Sequence, residues 1–292
     1  IPASADNATA PVFDVQASLI TPKEINLGEP ILVYCNIKNV SGQDAVVRMS
    51  KFEAEWYTVT LCDVNNGLVA PTALESPSTS AAETSPVSPA RNTFSHSGET
   101  FNRYILVNKL STIQHPGKYI ITLHVRLPYT LVDDASLPGA LKTMPGAMQT
   151  QDIVLPILVT KPSVEHIHAT AIALQRAVSD PTIGGDLARA DMDALFSMPE
   201  TQVSAIWRDL ANIPSMNNDL VATELTGLKS ETSINILAQM LDNPSLHCTP
   251  ISDRLNTLYN NGTPSLRDYI KKIAATHGIE MPQIAGAPVQ LD

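Results

Sequence analysis

Apolar and polar residues alternate along much of the chain between residues 12 and 160. From residue 164 onward the apolar residues recur at every third or fourth position. The first pattern is that of half-buried strands and the second that of amphipathic helices. Seven segments carry the alternation: 12–20 (VFDVQASLI), 31–39 (ILVYCNIKN), 44–49 (DAVVRM), 56–64 (WYTVTLCDV), 101–107 (FNRYILV), 118–127 (KYIITLHVRL) and 152–160 (DIVLPILVT). All are short and rich in β-branched or aromatic residues. The turn signals LGEP, VSGQD, NNG, HSGE and HPG separate them. In ILVYCNIKN the period places Ile31, Val33, Cys35 and Ile37 on one face. About seven such strands, with no helical pattern between them, predict an antiparallel sandwich rather than a parallel α/β sheet.

Two stretches break the alternation. Residues 71–99 are rich in Ser, Thr, Pro and Ala and are expected to form a long surface loop. Residues 128–151 are expected to form a second long loop before the last strand. The predicted sandwich therefore spans 12–161, behind a flexible segment 1–11.

After Pro162 the period changes. In residues 164–178 it places Val164, Ile167, Ala171, Leu174 and Val178 on one helix face. Six more helices are predicted over 185–198, 200–213, 217–228, 231–243, 249–261 and 263–278. Thr263-Pro264 supplies an N-cap and a proline at the first helical position, and Gly278 a stop. Short helices with short joins are the mark of paired antiparallel helices. The helical domain is expected over 164–281, with a tail at 282–292. The predicted class is thus two-domain, all-β followed by all-α.

Composition narrows the function classes. With 43% hydrophobic residues the chain has material for real cores, and 292 residues suit two domains. Only 16% are charged, so Ser, Thr, Asn and Gln carry much of the surface polarity. There are 11 basic and 14 acidic residues before residue 163, a balance of −3, and 8 and 15 from there on, a balance of −7. Neither half neutralises phosphates, so no nucleic-acid partner is expected. No apolar run reaches the roughly 18 residues of a membrane span, so no membrane insertion is expected. The chain opens IPASADNATAPV, small and polar and without Met. That opening is read as a processed end left by export, with plain trimming as the alternative. The expected location is secreted, periplasmic or cell envelope.

Candidate chemistry is sparse. Cys35, Cys62 and Cys248 match no metal or redox spacing. Cys35 is read as a buried free thiol, with a Cys35–Cys62 disulfide the alternative. There is no HExxH, GxSxG, P-loop or GxGxxG before a helix, and no metal or cofactor is expected. His166 and His168 stand two apart on a helix and point to different sides, which disfavours a shared metal. Asp133 and Asp134 fall in the second loop, and the pair Asp191 and Asp193 reads as a solvated helix face. Trp56 and Trp207 both read as core. Tyr129, Met144 and Met148 gather adaptable apolar side chains in the second loop. They either form a protein-contact patch or fold back as a cap on the sandwich.

Two family resemblances follow from particular stretches. Residues 27–47 (LGEPILVYCNIKNVSGQDAVV) and 97–125 (SGETFNRYILVNKLSTIQHPGKYIITLHV) resemble a bacterial immunoglobulin-like sandwich. The layout is similar to the non-catalytic β-domain of deuterolysin-like metallopeptidases and to proteinase-inhibitor-like sandwiches. In this stretch Pro116 fixes one φ, Gly117 is expected to take a positive one, and Tyr119 is expected to pack. Residues 213–278, around LVATELTGLKSETSINILAQMLDNPSL and PSLRDYIKKIAATHG, resemble HEAT-like helical repeats, with a compact bundle as the alternative. Deuterolysin-type catalysis needs an HExxH helix and a further Asp ligand, which are missing here. The resemblances imply a non-enzymatic binding protein with a protein partner. The alternatives are a peptidase inhibitor or accessory acting through the 128–151 loop, or an enzyme with an interdomain site at His166, His168, Asp133 and Asp134.

Overall fold

The computed structural model describes residues 10–48, 56–65, 67–69, 92–132, 146–180, 182–183, 185–213, 218–243, 245–246 and 250–281. The chain divides into two units, residues 1–162 and 163–292: a β-rich part followed by helices. Cys248, Asp133, Asp134 and Met144 lie outside the described residues, as do residues 71–91, the first nine residues and the tail 282–292.

Ten strands form the first unit among the described residues. They are β1 (Phe13–Leu19), β2 (Glu24–Asn26), β3 (Leu32–Asn39), β4 (Asp44–Arg48), β5 (Tyr57–Asp63), β6 (Gly67–Leu68), β7 (Asn92–Ser95), β8 (Thr100–Leu106), β9 (Gly117–Val132) and β10 (Ala147–Thr160). β1, β3 and β8 make a three-stranded antiparallel sheet. The seven-stranded sheet runs β2-β10-β9-β4-β7, with β5 also on β9 and β6 on β5. β2 joins β10 in parallel, and the other pairs are antiparallel.

Inward residues of both sheets fill one core, among them Val33, Cys35 and Ile37 from one sheet and Ile121, Leu123 and Val125 from the other. Trp56 is buried in it, edge-on to Tyr57 at 4.5 Å. Each large side chain so removed from water contributes roughly 1.5–3 kcal/mol. The open side of β1 is tied to β10 by two glutamines. Gln149 Nε2 donates to the Phe13 carbonyl at 2.6 Å, and Gln151 Nε2 to that of Val15 at 2.9 Å.

The alternation predicted for 118–127 does not end at Leu127. Pro128–Val132 continues β9, and Ala147–Gln151 already belongs to β10, so much of the expected 128–151 loop is a paired hairpin arm. Likewise β7 lies inside the expected 71–99 loop and pairs with β4. Proline hides such strands, because it has no N–H for the ladder. Here both prolines aim that missing donor at a gap in the ladders of the described residues. The Arg126 N–H reaches the Trp56 carbonyl at 2.7 Å, so by the two-residue period Pro128 faces the same side. There the β5 ladder has ended at Val125 and the β4 ladder starts only at Tyr129. The Leu158 N–H donates to Lys23 O at 2.9 Å, so Pro156 faces the edge of β10 two residues before the β2 ladder begins.

The turn into β9 also differs from expectation. Gly28, Gly42, Gly67 and Gly98, in four of the five turn signals, take positive φ, but Gly117 does not. It is already strand, paired with Val159. The corner is held instead by Tyr119, whose hydroxyl donates to the His115 carbonyl at 2.6 Å. Tyr119→Phe is expected to cost about 1 kcal/mol. Urea unfolding would show this as a lower midpoint with an unchanged m-value. An unmoved midpoint would show that the bond does not hold the corner.

No disulfide joins Cys35 and Cys62. Cys35 points into the core from the three-stranded sheet. Cys62 follows core-facing Leu61 on the other sheet and so turns away from it. Burial pushes the Cys35 thiol up to about 11, which keeps it unreactive.

Seven helices make up the second unit among the described residues. They are α1 (Val164–Ser179), α2 (Gly185–Phe196), α3 (Glu200–Asn212), α4 (Asn218–Leu228), α5 (Glu231–Leu241), α6 (Ile251–Asn261) and α7 (Pro264–Thr276). Ser163, Ser230 and Thr263 cap α1, α5 and α7 through their hydroxyls, and Gly278 ends α7 at a φ of +70°. α4 packs on α5 and α6 on α7. In addition α2, α4 and α6 touch in succession, as do α3, α5 and α7. Trp207 is fully buried, stacked on Phe196 at 5.0 Å, and its indole N–H donates to Leu195 O at 3.2 Å.

Two expected faces are corrected here. Val164 is 67% exposed, because it is the first residue of α1, ahead of the packed face that begins at Ile167. Asp191 is not solvated. It is buried on α2, and the positions one turn away hold only Leu187, Ala188, Ala194 and Leu195.

Candidate functional site

The side of the seven-stranded sheet facing away from the core carries several exposed apolar groups. Along β10 the outward positions are Met148, Thr150, Asp152, Val154, Pro156 and Leu158. Three of these are large exposed hydrophobics: Val154 at 58%, Met148 at 56% and Leu158 at 36%. Register extends the strip across the sheet. Pro156 lies opposite Ile120, Ile120 opposite Cys62, and Cys62 opposite Leu68, itself 74% exposed. Water would ordinarily select polar residues at such positions, as it does on the other outward faces of an antiparallel sheet.

A hydrogen-bonded polar cluster lies on the same face, flanked by Thr58, Thr122, Arg126, Thr150 and Val154. Asp152 stands directly opposite His124 across the β9–β10 ladder. His124 Nδ1 lies 2.8 Å from Asp152 Oδ1, and His124 Nε2 lies 3.0 Å from Thr60 Oγ1. With Asp152 ionised, Nδ1 carries the proton and Nε2 accepts from the Thr60 hydroxyl, a tautomer assigned from this network. The order hydroxyl, imidazole, carboxylate is that of nucleophilic triads. Acyl transfer also needs donors for an oxyanion. β9 is paired on both edges at His124, so its amides there are already committed to the ladders. What the arrangement does offer is an oriented set of hydrogen-bonding groups on a face that also carries exposed apolar side chains.

The residues singled out from sequence fall in different places. Tyr129 faces inward and meets Phe13 edge-on at 5.8 Å, packing against the core. Met148 is exposed at the end of the β10 strip, opposite Pro128. His166 and His168 are both exposed on α1, on either side of buried Ile167, and neither ring has a partner among the described residues. The proposed four-residue site keeps only these two histidines within the described residues. Sequence reasoning missed Thr60, His124 and Asp152. Each lay at an outward strand position, but nothing in the sequence states the register that brings them together. Among the described residues no group of three or more His, Cys, Asp or Glu gathers as a metal site would require. No helix among them is long and apolar enough to cross a membrane.

No family model matches the chain, and no curated protein does. Among solved structures it is similar to a β-glucosidase from Listeria innocua in complex with isofagomine, at 17% identity and a TM-score of 0.22, over 52% of this chain and 16% of that one. It is similar also to an alpha-2-macroglobulin mutant from Salmonella, at 10% identity and a TM-score of 0.27, over 90% of this chain and 22% of that one. A third is an Escherichia coli alpha-2-macroglobulin fragment from domain MG7 to its C-terminus, at 11% identity and a TM-score of 0.28, over 92% and 48% of the two chains. The chain thus spans less than half the length of each of these structures. Likenesses this distant carry no functional argument.

Proposed function

We propose that this is a non-enzymatic secreted or cell-envelope protein that binds a protein partner through the outer face of its seven-stranded sheet. The observation that carries the reading is the set of exposed apolar side chains Met148, Val154 and Leu158 on β10 and Leu68 on β6, on the same face as the Thr60–His124–Asp152 cluster. Exposed apolar patches with polar groups set among them are what protein contact surfaces present. Low charge and a surface rich in Ser, Thr, Asn and Gln agree with an exported protein.

The architecture supports a scaffold for binding. In the first unit β1, β3 and β8 lie on one sheet, and β4, β9 and β10 on the other. This division supports the reading as an immunoglobulin-like sandwich, as does the Tyr119–His115 bond, which lies where such a fold has its tyrosine corner. In the second unit the successive contacts of α2, α4 and α6, and of α3, α5 and α7, support the reading as a short two-layered helical repeat.

The test is a crosslinked pull-down from the native organism's envelope fraction. Its baits are the wild-type chain and Val154→Asp/Leu158→Asp. Burying two carboxylates in a contact costs more than 1.4 kcal/mol, hence more than about ten-fold in affinity. A partner held by the wild type and lost from the variant is expected. Equal capture by both baits, with both folded, would remove this face from consideration.

A further inference from the structure

The other sheet has an outward face of a different chemistry. β1, β3 and β8 place their outward side chains in rows, set by the register of the three strands. In one row Tyr34 stands opposite Tyr104, with ring centroids 5.4 Å apart and planes inclined at 45°. Both rings are half-buried, so each keeps a part of its surface for solvent. The next row, two residues along and thus about 7 Å away, is all amide: Gln16, Asn36 and Asn102. The third opposes Asp14 to Lys38 and so has no net charge.

The amide row is ordered before anything binds. Tyr34 Oη donates to Asn102 Oδ1 at 2.8 Å, and Asn36 Nδ2 donates to the same oxygen at 2.9 Å. Gln16 Nε2 donates to Asp14 Oδ2 at 2.8 Å. These bonds fix the rotamers of the side chains that make them, which lowers the entropy lost on binding. They also leave hydrogen-bonding capacity unused. Asn102 Nδ2 and Asn36 Oδ1 have no partner among the described residues, so a donor pair and an acceptor remain side by side.

We propose that this face binds a neutral polysaccharide. A sugar ring has an apolar face of C–H groups and a rim of hydroxyls that both donate and accept. The tyrosine pair offers the apolar surface for the first, and the neighbouring amides offer matched donors and acceptors for the second. The charge balance selects within the class. The Asp14–Lys38 row is neutral and the whole chain carries a net charge of −10, so an anionic polymer gains nothing here and is repelled at long range. The inference is independent of the protein-binding reading, which rests on the opposite sheet.

The experiment is affinity electrophoresis of the full chain in native gels containing a soluble β-glucan, a galactomannan, a dextran or, as the anionic arm, alginate. Retardation by at least one neutral polymer and none by alginate is the expected result. Tyr104→Ala is expected to weaken the retarding interaction at least ten-fold and Asn36→Ala several-fold, while Tyr104→Phe keeps most of it. Circular dichroism on each variant separates lost binding from lost fold. If Tyr104→Ala does not fold, Asn36→Ala and Asn102→Ala decide in its place. Val154→Asp/Leu158→Asp is expected to be retarded like the wild type, which keeps this result separate from the protein-binding one. Migration unchanged in all three neutral gels overturns the proposal. So does retardation that survives the alanine variants, or retardation in alginate as strong as in the neutral gels.

Discussion

Trp207→Ala is expected to destabilise the helical unit by about 3–5 kcal/mol, the range for removing a large buried aromatic side chain. The indole has no exposed surface, lies against Phe196 at 5.0 Å and 18°, and spends its one donor on Leu195 O. Alanine leaves a cavity beside Phe196 that the surrounding helices α2 and α3 close only in part. Against a typical domain stability of about 5–15 kcal/mol, the loss is a third or more of the total. Thermal melting followed at the helical circular-dichroism band should show the helices of the variant unfolding well below those of the wild type. A loss under about 1 kcal/mol would show that the stack is not an anchor of this core.

The second large effect has the opposite sign. Asp191 is buried among apolar neighbours, and burial pushes its carboxyl up to about 6, from an ordinary value near 3.8. Burial is the one cause of this shift. The folded state therefore holds this proton more tightly than the unfolded chain. Its contribution to stability is fully present below about pH 4, falls as pH rises, and is lost above about pH 6. About two pH units of displacement correspond to roughly 3 kcal/mol. Asp191→Asn removes the ionisation and should be more stable than the wild type by about 2–3 kcal/mol at pH 7. The two proteins should converge near pH 4. Denaturant unfolding at both pH values checks this through the difference between them, which cancels every other titrating group. A difference that does not change with pH would mean that the carboxyl is solvated.

Asp191 also shows where the sequence misleads. An Asp-x-Asp pair on a helix reads as a solvated face because charged residues are rarely buried without a partner, and this one departs from that rule. Elsewhere the periodicity was legible because one physical cause dominated. Ile31, Val33, Cys35 and Ile37 alternate because one side of β3 faces the core, and all four are buried. The seven helices were legible from their period and their punctuation, such as Thr263-Pro264 before α7 and Gly278 after it.

What stayed hidden depends on distance along the chain. Pro128 and Pro156 look like strand breakers until it is known which neighbouring strand stops beside them. β2, only three residues long, exists because β10 offers it a parallel edge. The Thr60–His124–Asp152 cluster joins residues up to 92 positions apart, and only the registers of β5, β9 and β10 bring them together. Register is set by turns and by core packing jointly, so no local reading of three polar residues recovers it. The Tyr34–Asn102 platform was out of reach for the same reason.

The long ladder between β9 and β10 has a mechanical consequence. β10 ends at Thr160, three residues before the first helical unit residue caps α1, so tension between the two units enters the sandwich along that strand. Thirteen register pairs tie β10 to β9, and β2 grips its other edge near the point of loading. In such a ladder the hydrogen bonds lie across the strand. A pull along β10 therefore shears many of them at once instead of unzipping them singly, so this strand resists extension far better than a peeled edge would.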